Sequence, residues 1–203
     1  AHIANMGYAC FTDTELFKGA GLYYMQPREN DPRDYVAIRL NNGESVTITN
    51  TCAANVLGIL AEGDYARGNV ESARKAIGLL AKEVGMSIED TARAILQKST
   101  DKIKPVIEDL ISKYKIERDQ IVLVGAGGGA GTLLTFTAND MGFKYQIPEN
   151  AEVISSIGVA LAMVREMVER TIPNPTAKDI AELKKEAKEM AMNSGAVEDS
   201  IEV

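Results

Sequence analysis

Five glycines in seven residues, Gly125-Ala126-Gly127-Gly128-Gly129-Ala130-Gly131, directly follow the uninterrupted apolar run Ile121-Val122-Leu123-Val124. A β-branched run without polar alternation suits a strand buried on both faces of a parallel sheet. A helix is expected from about Thr132 to Met141, stopped by Gly142. Strand, glycine-rich turn and helix start restrict the chain to an α/β fold and together make an anion site. Glycine lets the backbone approach a ligand, and the first amides of a helix point outward without intrahelical partners. Such glycines can also serve only a tight turn and close helix–strand packing. Five in seven exceeds what a turn requires, which favours nucleotide or phosphate contact.

The flanking elements follow from periodicity. Residues 1–34 read as an irregular or partly stranded entry segment that carries the aromatic cluster Tyr8, Phe11, Phe17, Tyr23 and Tyr24. Tyr35–Leu40 and Ser45–Thr49 are two β-rich runs around Asn42-Gly43, the signature of a hairpin. A short small-residue segment, Thr51–Leu60, is broken at Gly63-Asp64. Val70, Ala73, Ile77, Leu80 and Val84 then repeat at helical spacing up to Gly85. Ser87 caps a long segment carrying Ile88, Ala92, Ile95, Ile103, Ile107, Leu110 and Ile111, which Pro105 should bend or divide. Beyond the glycine loop, Phe143–Ile147 reads as a strand, and Val153, Ile157, Leu161, Val164 and Val168 as one helix stripe. Residues 121–164 carry only Asp140, Lys144, Glu149 and Glu152 as charges, so this stretch is expected to be the buried centre. Thr176 caps an amphipathic helix with Ile180, Leu183, Ala187 and Met190 inward, and Ala196–Val203 could begin a further strand.

Charge narrows the partners. Lys and Arg number 22 and Asp and Glu 29, so 22 − 29 = −7, the wrong sign for counterion-release binding to nucleic acid. An anionic ligand must then be held by backbone dipoles or a few placed side chains. No run of roughly 18 or more uncharged apolar residues exists to span a bilayer. Cys10 and Cys52 are too few for a disulfide scaffold, and the single histidine, His2, leaves no Cys/His zinc constellation, so a cytoplasmic protein with no metal site is expected. Asp13, Glu15, Asp31 and Asp34 read as solvated loop acids, and the Lys184–Glu189 cluster as a solvated helix face. Cys52 could be a nucleophile, but no histidine lies near it in sequence. The start, Ala1-His2-Ile3-Ala4, has no signal-peptide pattern and looks cut from something longer, or processed.

Two nucleotide motifs can be weighed. The Walker pattern is excluded because no Lys-Ser or Lys-Thr follows the glycines. Gly125-x-Gly127-x-x-Ala130 does match the dinucleotide pattern, with Glu149 near the position of a ribose-binding acid. That motif, however, opens a series of βαβ units, whereas here a hairpin and three helices precede the loop. A nucleotide lobe whose glycine loop comes late fits this order better. A dinucleotide-binding oxidoreductase is the minor alternative.

At these residues the sequence resembles the hydantoinase A/5-oxoprolinase family. Ile121–Gly131 looks like the family's strand followed by Gly-Gly-x-Gly, and Pro148 with Ser155-Ser156-Ile157-Gly158 is similar to its Pro followed by Ser-Ala-x-Gly. Thr47-Ile48-Thr49-Asn50 resembles its Thr-x-Thr-Asp, and Leu57-Gly58 and Gly68 are also in place. The resemblance covers about residues 45–172, between an entry segment over 1–44 and a C-terminal amphipathic helix over 173–203. It implies an actin-like ATPase lobe, a mixed sheet with helices on both faces, from the actin, heat-shock chaperone and sugar kinase superfamily. It also implies ATP-dependent opening of a cyclic amide, hydantoin or 5-oxoproline, by phosphorylation of the amide oxygen before hydrolysis. Gly127, Gly128, Gly129, Ala130 and Gly131 would contact ATP, with Ser155 and Gly158 nearby. The plainer alternative for Ser155 and Gly158 is a small-residue packing face.

Three departures qualify the resemblance. Asn50 replaces the family's Asp and is a weak catalytic candidate at best, since the exchange removes a carboxylate that could organise a metal or move a proton. Thr132-Leu133 replaces the Pro-His that often follows the glycines. The early Asp-x-Gly-Gly-Thr phosphate loop and the Gly-Ala-Gly-Gly-Gly-Ser segment are not found. The expectation is therefore a C-terminal lobe that works with an N-terminal lobe or partner subunit, in an oligomer, with Mg2+ held by the other lobe. A non-catalytic nucleotide-binding module, reactivase-like or an assembly subunit, is the main alternative.

Overall fold

The computed structural model describes residues 6–203; the start of the chain, including His2, lies outside them. Strands β1 (Gly7–Tyr8), β2 (Gly21–Met25), β3 (Tyr35–Arg39) and β4 (Ser45–Thr47) form one sheet in the order β1-β4-β3-β2. β2, β3 and β4 run antiparallel, and β1 pairs with β4 in parallel, so the sheet is mixed. The hairpin expected around Asn42-Gly43 is β3–β4, with Ile38 opposite Val46. Thr47, almost fully buried, donates its hydroxyl to the Val36 carbonyl at 2.8 Å.

Helices α1 (Asn50–Leu57), α2 (Val70–Val84) and α3 (Ile88–Tyr114) follow, each started by the side chain of the residue before it: Thr49, Asn69 and Ser87 accept from the backbone amide of Cys52, Ser72 and Asp90. Such caps satisfy amides that have no intrahelical acceptor. Ile77 and Leu96 are fully buried, together with Ala53, Ala73, Ala76 and Ala92, whose small side chains let the three helices approach closely. Pro105 neither ends nor divides α3, which runs unbroken past it.

A second sheet pairs β5 (Val122–Val124) in parallel with β6 (Lys144–Gln146), bridged by α4 (Ala130–Met141). Gly142 closes α4 at φ 72°, a left-handed turn that glycine adopts without strain.

Here the expectation of a buried centre fails. Val122 is 48% and Val124 64% exposed, all of β6 is exposed, and so are Ile154, Ile157 and Leu161. The run pairs as a parallel strand, but with two strands in its sheet it lacks the neighbours and covering helices that bury both faces. Hydropathy records which surface is costly to leave in water, and the described chain supplies nothing to cover this one.

The chain divides into two units, residues 1–155 and 156–203. The division falls within α5 (Ile154–Leu161), which ends before Val164 and Val168, so these do not continue its stripe. In the second unit, Thr176 and Asp179 form a reciprocal capping box at the start of α6 (Ala177–Asn193). Of the inward positions expected there, Ile180 and Met190 are exposed; only Ala191 of α6 is buried. Residues 196–203 form no strand, and Glu198–Ser200 make a 3-10 turn instead. Among the described residues no helix is long and apolar enough to cross a membrane.

Candidate functional site

The glycine loop is held at both ends by backbone bonds. Gly125 N–H donates to the Gln146 carbonyl at 2.9 Å, and Gly127 N–H to the Ala151 carbonyl at 2.6 Å. Gly127 sits at φ 92°, which an L side chain rarely adopts, and its carbonyl accepts from Ala130 N–H at 3.0 Å in the turn that starts α4. The other glycines have separate reasons. A Cβ on Gly125 would lie 2.7 Å from Leu134 Cδ2, so this residue permits helix–strand packing. A Cβ on Gly128 would meet the Tyr65 ring at 2.9 Å, and one on Gly131 would collide with the Asp64 carboxylate. A Cβ on Gly129, by contrast, would have no atom within 4 Å, and its φ of −103° suits any residue.

Tyr65 and Asp64 reach the loop because a buried amide pins the segment between α1 and α2. Asn55, 3% exposed on α1, donates its Nδ2 to the carbonyls of Thr51 (2.9 Å) and Ala66 (3.0 Å), and its Oδ1 accepts from Gly68 N–H at 2.8 Å. Asp64 Oδ1 accepts from Ala66 N–H at 2.8 Å, which turns its carboxylate toward Gly131. A cavity of about 470 Å³ lies beside this contact. Its aromatic lining is Tyr8, Phe11 and Tyr65, with Thr51 and Ala66 between them and Gly128 and Gly129 on the backbone side. Tyr8 and Phe11 stack with centroids 6.1 Å apart. Among the described residues no cationic side chain lines it. Among the described residues, the Gly128 and Gly129 amides have no acceptor.

Two amides without a partner among the described residues, beside apolar rings, have the chemistry to take a nucleoside or its phosphate: amides can donate to oxygen, and rings can offer a flat surface to a base. Thr132 Oγ1, buried on α4 just past the loop, has no hydrogen-bond partner among the described residues. Among those residues no group of three or more His, Cys, Asp or Glu is placed to hold a metal ion.

Of the site residues expected from sequence, Gly127 to Gly131 stand together at the loop, with Gly128 and Gly129 on the cavity. Ser155 lies on α5, exposed and outside the cavity lining. Gly158, also exposed, belongs to the second unit. Asn50 is the first residue of α1, and its Oδ1 accepts from Ser99 Oγ of α3 at 2.9 Å, a contact between helices outside the cavity. Sequence reasoning passed over Tyr65, Asp64, Thr51 and Asn55. The only signal was Gly63-Asp64, read as a helix break.

No curated protein matches the chain. Among solved structures it is similar to acetone carboxylase, in a nucleotide-free structure titled for the mechanism of ATP-dependent acetone carboxylation. Identity is 18% and the TM-score 0.51, over 88% of this chain and 29% of that one. The chain therefore spans less than a third of that protein, and at this identity the likeness establishes the fold alone, a mixed α/β architecture. The hydantoinase/oxoprolinase family model matches residues 27–168, most of the chain and every element from β3 to α5. By that match the chain belongs to the hydantoinase/oxoprolinase family.

Proposed function

We propose that this chain is the C-terminal lobe of an ATP-dependent enzyme that opens a cyclic amide of the hydantoin or 5-oxoproline type. The observation that carries the reading is the pair of amides at Gly128 and Gly129, without a partner among the described residues, on an aromatic cavity. Gly128 and Gly129 would hold oxygen atoms of the nucleotide, with Gly127, Ala130 and Gly131 shaping the turn, and Tyr65 with Phe11 would flank the base. ATP would supply a phosphoryl group to the amide oxygen, making the ring carbonyl electrophilic enough for water to attack. With no cation among the described residues of the cavity lining, neutralisation of the phosphates, by Mg2+ and basic side chains, would fall to another lobe or partner subunit. The exposed apolar surface of β5 and β6, and the 29% coverage of the related carboxylase, support such a partner. Asn50 is assigned the positioning of α1 against α3, and Ser155 lies outside the cavity lining.

The test is phosphate release by the chain combined with the rest of its enzyme. Stimulation by hydantoin or 5-oxoproline supports the cyclic-amide reading. The likeness to an ATP-dependent carboxylase favours a second reading, ATP-driven activation of a ketone for carboxylation; stimulation only by acetone and bicarbonate would select it. No stimulation by either, with ATP still bound, would leave a non-catalytic nucleotide-binding module. Tighter binding of NAD than of ATP would sink all three.

A further inference from the structure

Thr51, the second residue of α1, is 8% exposed and lines the cavity beside the glycine loop. A threonine within a helix can give its hydroxyl to the carbonyl four residues back, as Thr91 does to Ser87 at 2.8 Å. Four residues before Thr51 stands Thr47, the end of β4, so no preceding helical turn offers it a carbonyl. Among the described residues Thr51 Oγ1 has no hydrogen-bond partner. The carbonyls of Thr51 and Ala66, the two residues between the rings, already accept from Asn55 Nδ2 at 2.9 and 3.0 Å. Thr132 Oγ1 and Asp31 Oδ2 are the unpartnered side-chain atoms wholly shut off from solvent among the described residues. Thr51 Oγ1 is not one of them, so it keeps an accessible face on the cavity that its residue lines.

A polar group more than nine-tenths buried costs free energy until something bonds it. The surroundings say what would. Among the described residues the cavity lining holds three aromatic rings and no charged side chain. Rings take a flat heterocycle, and a neutral hydroxyl between them suits a neutral polar edge better than an ionised group left without a counter-charge. We infer, on the nucleotide reading of this cavity, that Thr51 reads the base of a purine nucleotide and admits adenine and guanine alike. A hydroxyl both donates and accepts. It would accept from the 6-amino group of adenine and donate to the 6-oxygen of guanine, the position at which the two bases have opposite polarity. A base with nothing polar there would leave the hydroxyl unbonded, and a site built around a hydrogen bond rejects the analogue that lacks it.

The experiment titrates the folded chain by calorimetry with ATP, GTP and purine riboside triphosphate, which has no 6-substituent, in the wild type, Thr51→Val and Thr51→Ser. Wild type should bind ATP and GTP within about threefold of each other and the analogue at least about fivefold more weakly, the effect of one buried bond left unmade. Thr51→Val should bring ATP and GTP down to the level of the analogue and leave the analogue unchanged, and Thr51→Ser should restore both. Valine keeps the shape of threonine and removes a hydroxyl without a partner among the described residues, so Tm should not fall. If Thr51→Val does not fold, the wild type still decides, because equal binding of ATP and the analogue would overturn the inference. Wild-type binding of ATP that Thr51→Val leaves unchanged, or a loss of all three ligands alike in that variant, would remove Thr51 from the base and leave the nucleotide reading standing. A preference of tenfold or more between ATP and GTP would overturn the shared purine edge. A wild type that binds none of the three would overturn the nucleotide reading and the role of Thr51 together.

Discussion

Replacing Gly129 with alanine separates ligand contact from folding at the glycine loop. The new methyl group would find no protein atom within 4 Å, and φ −103°, ψ 8° is open to alanine. Gly129 is the N-cap of α4, where alanine is worse than glycine by up to about 1 kcal/mol, while the unfolded chain loses entropy worth about 0.4–1 kcal/mol in the opposite direction. The net stability change should stay within about 0.5 kcal/mol, a shift of no more than about 2 °C in Tm for a chain of this size. A nucleotide drawn up against the Gly128 and Gly129 amides would meet the methyl group directly. Loss of one hydrogen bond to a charged oxygen costs about 1.5–3 kcal/mol, a weakening of roughly 10- to 150-fold in Kd. Calorimetric titration with ATP, beside a thermal melt, reads both quantities. Gly125→Ala is the opposite control: its Cβ would press on Leu134 Cδ2 at 2.7 Å and Ala130 Cβ at 3.1 Å. Overpacking of this kind costs about 1–3 kcal/mol and should lower Tm without selectively weakening ATP. Gly128→Val is a poorer probe, because the Tyr65 ring already occupies the space beside it. A folded Gly129→Ala chain that binds ATP within about threefold of wild type would refute contact at this amide, since a bond to a charged group is worth more than that.

Other outcomes follow from single contacts. Asn55→Ala should cost about 2–4 kcal/mol by leaving the Ala66 carbonyl and the Gly68 amide unpaired; urea unfolding measures it, and ATP affinity should change with it as Tyr65 and Asp64 lose their tether. Leu96→Ala, at a fully buried core position, should cost about 2–5 kcal/mol in the same assay while leaving ATP affinity per folded chain unchanged. The capping-box bonds from the Thr176 hydroxyl and backbone hold the Asp179 carboxyl below its ordinary value. A carboxyl lowered in the folded state adds stability above its unfolded value, near 4, and that contribution is lost as pH falls through the folded value. Helical circular dichroism should therefore fall in this acid range, and in Asp179→Asn the corresponding step should vanish.

The outcome at each element follows the range of the signal behind it. Caps such as Ser87 and Thr176, the β3–β4 hairpin and the strand–glycine–helix unit of residues 121–142 were legible because each is specified within a few residues of chain. Apolar residues in β5, α5 and α6 were equally visible, but their burial depends on what packs over them, which periodicity cannot supply. Pro105 shows the reverse case, a local breaker signal overridden within a long helix.

By itself the sequence determined that a glycine loop follows a strand and opens a helix, and it carried the family's motifs in order. Only the tertiary structure decided what each glycine faces: Leu134 at Gly125, Tyr65 at Gly128, Asp64 at Gly131 and open space at Gly129. It alone also hung the Asp64-Tyr65 segment on Asn55. The physical reason is that local dihedral preferences and hydrogen bonds fix an element within a few residues, whereas contacts between distant segments come from packing those elements together and leave no periodic trace in the chain.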